Sequence, residues 1–201
     1  KLVDPFAGFC GTLIKTSVKN NDTKHRVIAF DLMDDSIAIG QMNLISNNIP
    51  DWRYFKKDIL TSQSSLFSDI NTEEIADLIC TVPPFNLTNN LTNSDEKLYP
   101  LGVGSNSTNL HVQSILRLLK PGGTAIIVVP DGFLFSGDKI SKNIREFLIA
   151  EGLIKVVISL PPGVFQPYTN ISSSIIILNK DSQKEEGVLF LNLQHTHIKF
   201  I

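Results

Sequence analysis

The stretch from Ala76 to Asn86, Ala-Asp-Leu-Ile-Cys-Thr-Val-Pro-Pro-Phe-Asn, limits the possible folds of this chain more than any other. It starts as a short apolar strand and stops at two prolines. Proline has no N–H and a fixed φ, so Pro83 and Pro84 end a central strand, and the residue before each is held extended. The outcome is a stiff elbow carrying Phe85 just past a strand end. In an open parallel α/β sheet that edge is where ligands bind. A plain proline-terminated strand with Phe85 packed inward is the alternative.

Around this elbow, strand-like and helix-like segments alternate, which predicts βαβ units and a mostly parallel sheet. Strands are predicted at Leu2–Asp4, Arg26–Phe30, Trp52–Phe55, Ala76–Thr81, Thr124–Pro130, Ile154–Leu160 and Ser174–Leu178, with a last strand or arm at Gly187–Leu193. Helices are predicted at Thr12–Asn20, Ser36–Ser46, Asn109–Leu119 and Lys139–Ala150, and Asp131-Gly132 is read as a turn. A polar connection from Leu87 to Thr108 is long for a compact domain and suggests a lid or binding loop.

The 201 residues suffice for one α/β domain with a real core. A net charge of −2 provides no bulk basic field, so any nucleic-acid contact must come from local patches or a partner. Two cysteines, Cys10 and Cys80, are too few for a disulfide framework and lack zinc spacing, which fits a reducing, cytoplasmic setting. No apolar run has membrane-spanning length. The four histidines show no metal or triad pattern. The abrupt opening into a strand suggests a piece of a longer polypeptide.

Asp4-Pro5-Phe6-Ala7-Gly8-Phe9-Cys10-Gly11 joins the first strand to the first helix. Glycines there allow a ligand close to the backbone, and the helix N-terminus offers free N–H groups. With only Gly8 and Gly11 the loop does not match the G-x-G-x-x-G dinucleotide fingerprint. Asp31 lies twenty positions after Gly11, at the end of the second strand, where an acid binds ribose hydroxyls; capping the next helix is the alternative. Asp58, after the third strand, is placed to accept from an adenine amino group or to sit in a solvated turn. Lys139, Lys142 and Arg145 form a phosphate-facing patch or a solvated helix face. Phe165 and Tyr168, on a Pro/Gly-rich loop, either stack on a base or plug a gap between strands.

Together these segments resemble the modification subunit of type I restriction-modification systems, which are S-adenosylmethionine-dependent adenine-N6 DNA methyltransferases. The likeness covers nearly the whole chain. It is carried by Asp4-Pro-x-x-Gly8 with Leu13, Met42-Asn43-Leu44, the Pro83-Pro84-Phe85 elbow, Leu119-Lys-Pro-Gly-Gly123 and Val129-Pro-Asp-Gly132-Phe-Leu-Phe135. It closes with Val157-Ile-Ser-Leu-Pro-Pro-Gly-Val-Phe165-x-x-Tyr168-Thr and the strand ending Asn179-Lys180.

The resemblance implies a Rossmann-like methyltransferase fold over residues 1–201, with an N-terminal helical part absent. Its seven strands are mostly parallel, with the last inserted antiparallel between the fifth and sixth. S-adenosylmethionine would be held by Asp4, Pro5, Gly8 and Gly11, with its ribose on Asp31 and its adenine near Asp58. The target base, flipped from the duplex, would meet Pro83, Pro84 and Phe85, with Phe165, Tyr168, Lys142 and Arg145 on the base or DNA. Implied partners are DNA and the specificity and restriction subunits, without metal or membrane.

Two positions depart from the family. Cys10 replaces a glycine and is expected to crowd the methionine end of the cofactor. Val82 stands where Asn is usual, so the side-chain acceptor for the adenine amino group is missing. Losing one transition-state hydrogen-bonding group costs about 2.7–4 kcal/mol, or roughly 10²–10³ in rate. The alternative function is therefore a catalytically silent domain of the same fold, used for assembly or DNA holding. A nicotinamide dehydrogenase fits the glycine spacing poorly and gives the prolines no role.

Overall fold

The computed structural model describes residues 1–19, 25–61, 73–85, 91, 95–104, 106–181 and 187–194. Its elements follow in the order β1 (Leu2–Asp4), α1 (Gly11–Lys19), β2 (Val27–Asp31), α2 (Asp34–Ser46), β3 (Trp52–Lys56), β4 (Ala76–Thr81) and α3 (Ser107–Leu118). Then come β5 (Leu119–Pro130), α4 (Asp131–Phe135), α5 (Lys139–Ala150), β6 (Ile154–Ser159), β7 (Ser173–Asn179) and β8 (Leu189–Asn192). A 3-10 turn at Asp95–Leu98 lies in the long connection before α3.

The strands form one sheet in the order β3-β2-β1-β4-β5-β7-β6-β8. Neighbours are parallel except around β7, which runs antiparallel to both β5 and β6. The inserted antiparallel strand is where the resemblance implied it, but the sheet has eight strands rather than seven. The extra one is β8, parallel to β6 at the edge. Two other expectations are corrected. Asp131-Gly132 opens the short helix α4 instead of a simple turn. The Lys-Pro-Gly-Gly run lies inside β5, where a register shift against β4 absorbs it.

Strand side chains alternate between two faces. Val3, Ile28 and Phe30 point into the larger core, with Ile115 and Leu118 of α3 and Ile144 and Leu148 of α5. Leu2, Val27 and Ala29 point the other way, against Leu13 of α1 and Leu44 of α2. Helices thus cover both faces of the sheet, as parallel strands require. The strand order reverses between β1 and β4. Beyond their C-terminal ends such a reversal leaves a crevice open to a ligand.

Candidate functional site

At that crevice the turn after β1 and the elbow after β4 meet over one hollow of about 520 Å³, within the range of small-molecule sites. Its wall includes Pro5, Phe6 and Gly8 from the turn, Asp31 at the end of β2 with Leu32 and Met33 just beyond it, and Lys57, Asp58, Ile59 and Leu60 after β3. Val82 and Pro84 close the far side. Pro83 is buried behind the wall, and Phe85 is half-buried.

The turn is built around Gly8, whose φ of +47° favours glycine. A Cβ there would meet nothing within 4 Å, which leaves the ligand side of the backbone open. The Gly8 N–H donates to Asp31 Oδ2 at 2.9 Å, and its carbonyl accepts from the Tyr54 hydroxyl at 2.7 Å. Asn43 Nδ2 donates to the Phe9 carbonyl at 3.0 Å. Gly40 lets α2 come this close: a Cβ on it would lie 2.6 Å from Tyr54 Cε1 and 2.8 Å from the Gly8 oxygen. Gly11 starts α1 and is exposed; it does not line the hollow.

Asp31 Oδ1 accepts from the N–H groups of Leu32 and Met33, at 2.7 and 2.9 Å. With the Gly8 bond, three of about four carboxylate acceptor positions are filled and one remains. The helix-cap alternative is not what is seen, since α2 begins only at Asp34. Asp58 is half-buried, accepts from the Leu60 N–H at 2.8 Å, and is pushed above the usual carboxylate range by burial.

Asp4 is not at the hollow. It is 1% exposed and sits beneath the turn. Its Oδ1 accepts from the Phe6 N–H at 3.0 Å and from the Thr81 hydroxyl at 2.6 Å. Its Oδ2 accepts from the Thr12 hydroxyl at 2.5 Å. Burial pushes its carboxyl up to about 6 against these three lowering bonds. The expectation of a direct cofactor contact is replaced by an internal one, because the side chain is buried and does not reach the wall of the hollow.

Cys10 is also corrected. Its φ is +64°, in the left-handed region that favours glycine, yet it is fully buried in the smaller core and does not line the hollow. Its thiol lies among the apolar side chains of that core, not in the wall of the hollow, and is pushed up to about 12, chiefly by burial. Cys80 packs against the same cluster, and both cysteines are free.

On the elbow side, Thr81 is buried and Val82 is 38% exposed to the hollow, as alternation along β4 requires. Asn86 lies outside the described residues, as does most of the connection from Leu87 to Leu91 and from Thr92 to Ser94. The described part packs down: the Tyr99 hydroxyl donates to the Leu60 carbonyl at 2.5 Å, and Gln113 holds Leu101 and Gly102. Leu91 reaches the wall of the hollow. His111, fully buried on α3, packs its ring edge on Phe6 at 4.7 Å, and burial lowers it to about 4.

Phe165 meets Phe85 in an edge-to-face contact, centroids 6.0 Å apart and planes at 84°. The Pro/Gly-rich loop is thereby brought to the elbow, which sequence spacing could not show. Tyr168 is 94% exposed. Arg145 and Lys142 are not brought to the hollow. The Arg145 guanidinium donates to the carbonyls of Phe133 and Ser136, both at 2.7 Å, so it clamps α4 to α5 instead of facing a phosphate. Lys142 is on an exposed helix face and pairs with Glu146 at 3.7 Å.

Thr12, Gly40, Asn43, Tyr54 and Thr81 were missed as site-building residues. Only Asn43 carried a signal, as part of Met42-Asn43-Leu44. Among the described residues no group of three or more His, Cys, Asp or Glu could hold a metal, and no helix is long and apolar enough to cross a membrane.

A seven-plus-one-stranded sheet with one inserted antiparallel strand, and a hollow between the glycine turn and the fourth strand's end, define a methyltransferase fold of the S-adenosylmethionine-dependent class. The comparisons agree and go further. The chain matches the N-6 DNA Methylase family over residues 1–200 and belongs to it. It is 35% identical over 115 residues to the type I restriction enzyme EcoEI methylase subunit of Escherichia coli, covering 57% of this chain and 23% of that protein. To the EcoKI methylase subunit of Escherichia coli K12 it is 29% identical over 178 residues, covering 81% of this chain and 33% of that one. Its fold superposes on the type I restriction-modification methyltransferase subunit of Streptococcus thermophilus with a TM-score of 0.83 at 20% identity, covering all of this chain and 43% of that one. The chain thus spans about a quarter to a third of the length of these curated relatives.

Proposed function

We propose that this chain transfers a methyl group from S-adenosylmethionine to adenine N6 in DNA, as the catalytic domain of a restriction-modification enzyme. The observation that supports this most is the single hollow shared by the Gly8 turn and the Val82–Pro84 elbow. Family membership points the same way.

The residues present suit the cofactor. The remaining acceptor position on Asp31 takes a ribose hydroxyl. Leu32, Met33, Ile59 and Leu60 supply apolar wall for a purine, and Asp58 takes its amino group. The open backbone at Gly8 leaves room for the methionine end. When bound, S-adenosylmethionine supplies an electrophilic methyl on a sulfonium. The protein's own work is to hold an adenine amine in line with it and to exclude water.

Pro83 and Pro84 fix the elbow's main chain, whose carbonyls accept from that amine. Phe85 and Phe165 hold the extruded base. In the protein the two rings meet edge-to-face, centroids 6.0 Å apart with planes at 84°. Tyr168 is placed to meet DNA outside the hollow. Specificity and restriction subunits, and an intracellular setting, complete the proposal; a specificity subunit would supply the sequence reading that a chain of net charge −2 lacks.

One observation favours the second reading, a silent domain: the side chain facing the hollow at position 82 is aliphatic. Cys10 no longer supports it. Transfer of labelled methyl from S-adenosylmethionine to adenine in DNA, by the wild type and by Val82→Asn, separates the two. The proposal expects cofactor binding by both and transfer that rises by about 10²–10³ in the variant. Binding without transfer in either, measured on the intact enzyme with its partner subunits, would establish the silent domain.

A further inference from the structure

Asp4 joins the two corners of the site without lining it. Its Oδ2 holds Thr12 at the start of α1, its Oδ1 holds the Phe6 N–H in the glycine turn, and the same Oδ1 holds Thr81, the last residue of β4 before the elbow. These bonds cross the point where the strand order reverses, between β1 and β4. A buried carboxylate costs free energy, and hydrophobic residues of similar volume generally hold a core at least as well. What a carboxylate adds is direction: short charge-assisted bonds fix partners more tightly than apolar contact does.

We propose that Asp4 is a positioning residue for methyl transfer, with Thr81 as its arm to the elbow: the carboxylate sets the spacing between the cofactor's turn and the target base's corner while touching neither ligand. This rests on the methyltransferase reading above. The two ends of the clamp are separable. Removing the Thr81 hydroxyl leaves Asp4 bonded to Thr12 and Phe6, so the cofactor's turn stays built while the elbow loosens. The step itself is unchanged: the adenine N6 lone pair forms the new N–C bond, the S–C bond breaks with its pair kept by sulfur, and N6 then loses a proton to solvent.

The test uses the intact protein that carries this chain, in the native and Val82→Asn backgrounds. S-adenosylmethionine affinity is measured by calorimetry, single-turnover transfer at saturating cofactor and DNA by label, and unfolding temperature by calorimetric scan. Thr81→Val is expected to keep its dissociation constant within ~3-fold while the transfer rate falls about 10- to 100-fold, the scale of misplacement by up to 1 Å. Thr81→Ser, which keeps the hydroxyl, is expected to recover transfer to within ~3-fold of the parent. Unchanged transfer in Thr81→Val would overturn the proposal. So would a loss of affinity equal to the loss of rate, since that marks a general structural role. A parent that binds no S-adenosylmethionine, or binds it and transfers in neither background, overturns the catalytic reading first and this proposal with it; both are seen before any change at Thr81.

Discussion

Replacing Asp4 by Asn should reveal two opposing pH dependences that nearly cancel in the native protein. Burial raises the folded-state carboxyl of Asp4 from an ordinary 3.8 to about 6. Below 3.8 the group is protonated in both states and above about 6 it is ionised in both. Between these values the folded state holds more protons, so this group makes stability fall as pH rises. At about 1.4 kcal/mol per pH unit of displacement, the loss comes to about 3 kcal/mol. His111 works the other way. Its folded value is lowered from 6.5 to about 4, so the unfolded state holds more protons between the two and stability rises with pH, again by about 3 kcal/mol.

Asn keeps the geometry. Its oxygen still accepts from Phe6 N–H and Thr81, and its amide donates to the Thr12 hydroxyl, which reverses its role. Urea unfolding of both proteins at intervals from pH 4 to 7 gives the difference curve. We expect the variant to gain on the wild type by about 3 kcal/mol across this range, with the variant's own stability rising along the His111 limb. A difference curve flat within error would mean that Asp4 is not a buried carboxylate, and the reasoning on the clamp would fail with it.

Gly40→Ala should destabilise the fold by about 1–3 kcal/mol, since its Cβ would sit 2.6 Å from Tyr54 and 2.8 Å from the Gly8 carbonyl. Because the strain falls on the turn, thermal unfolding and cofactor calorimetry should both register it. Arg145→Ala strips two main-chain carbonyls of their donor and should cost about 1–3 kcal/mol, leaving the salt dependence of DNA binding unchanged. Lys142→Ala, on an exposed face, should stay within about 0.5 kcal/mol in unfolding experiments.

Much of the fold could be read from periodicity and punctuation. β4 and α5 fall where the apolar pattern and the prolines placed them, and the convergence of Gly8 with Val82–Pro84 is what the resemblance implied, with cofactor and target base meeting between them. What could not be read were contacts between residues far apart in sequence. Thr81 lies 77 positions from Asp4 and Tyr54 lies 46 from Gly8, and neither pair leaves a local pattern. Asp4 was placed at the cofactor because the resemblance assigns the Asp4-Pro-x-x-Gly8 run to it as a whole; only its burial shows that it serves the scaffold. Cys10 was misread for a related reason. A side chain replacing glycine was assumed to point at the ligand, whereas the left-handed backbone turns it into the core. Arg145 looked like a phosphate contact because spacing shows which helix face a charge occupies, not which carbonyls lie opposite.

The account stands on the hollow being a nucleoside sulfonium site, and calorimetric titration of the wild type and of Asp31→Ala with S-adenosylmethionine asks this directly. It predicts one molecule bound per chain by the wild type, and an affinity at least ~10-fold weaker in the variant, which loses the ribose acceptor and the Gly8 contact together. No binding heat from the folded wild type at saturating cofactor, or equal affinity in the two proteins, would contradict it.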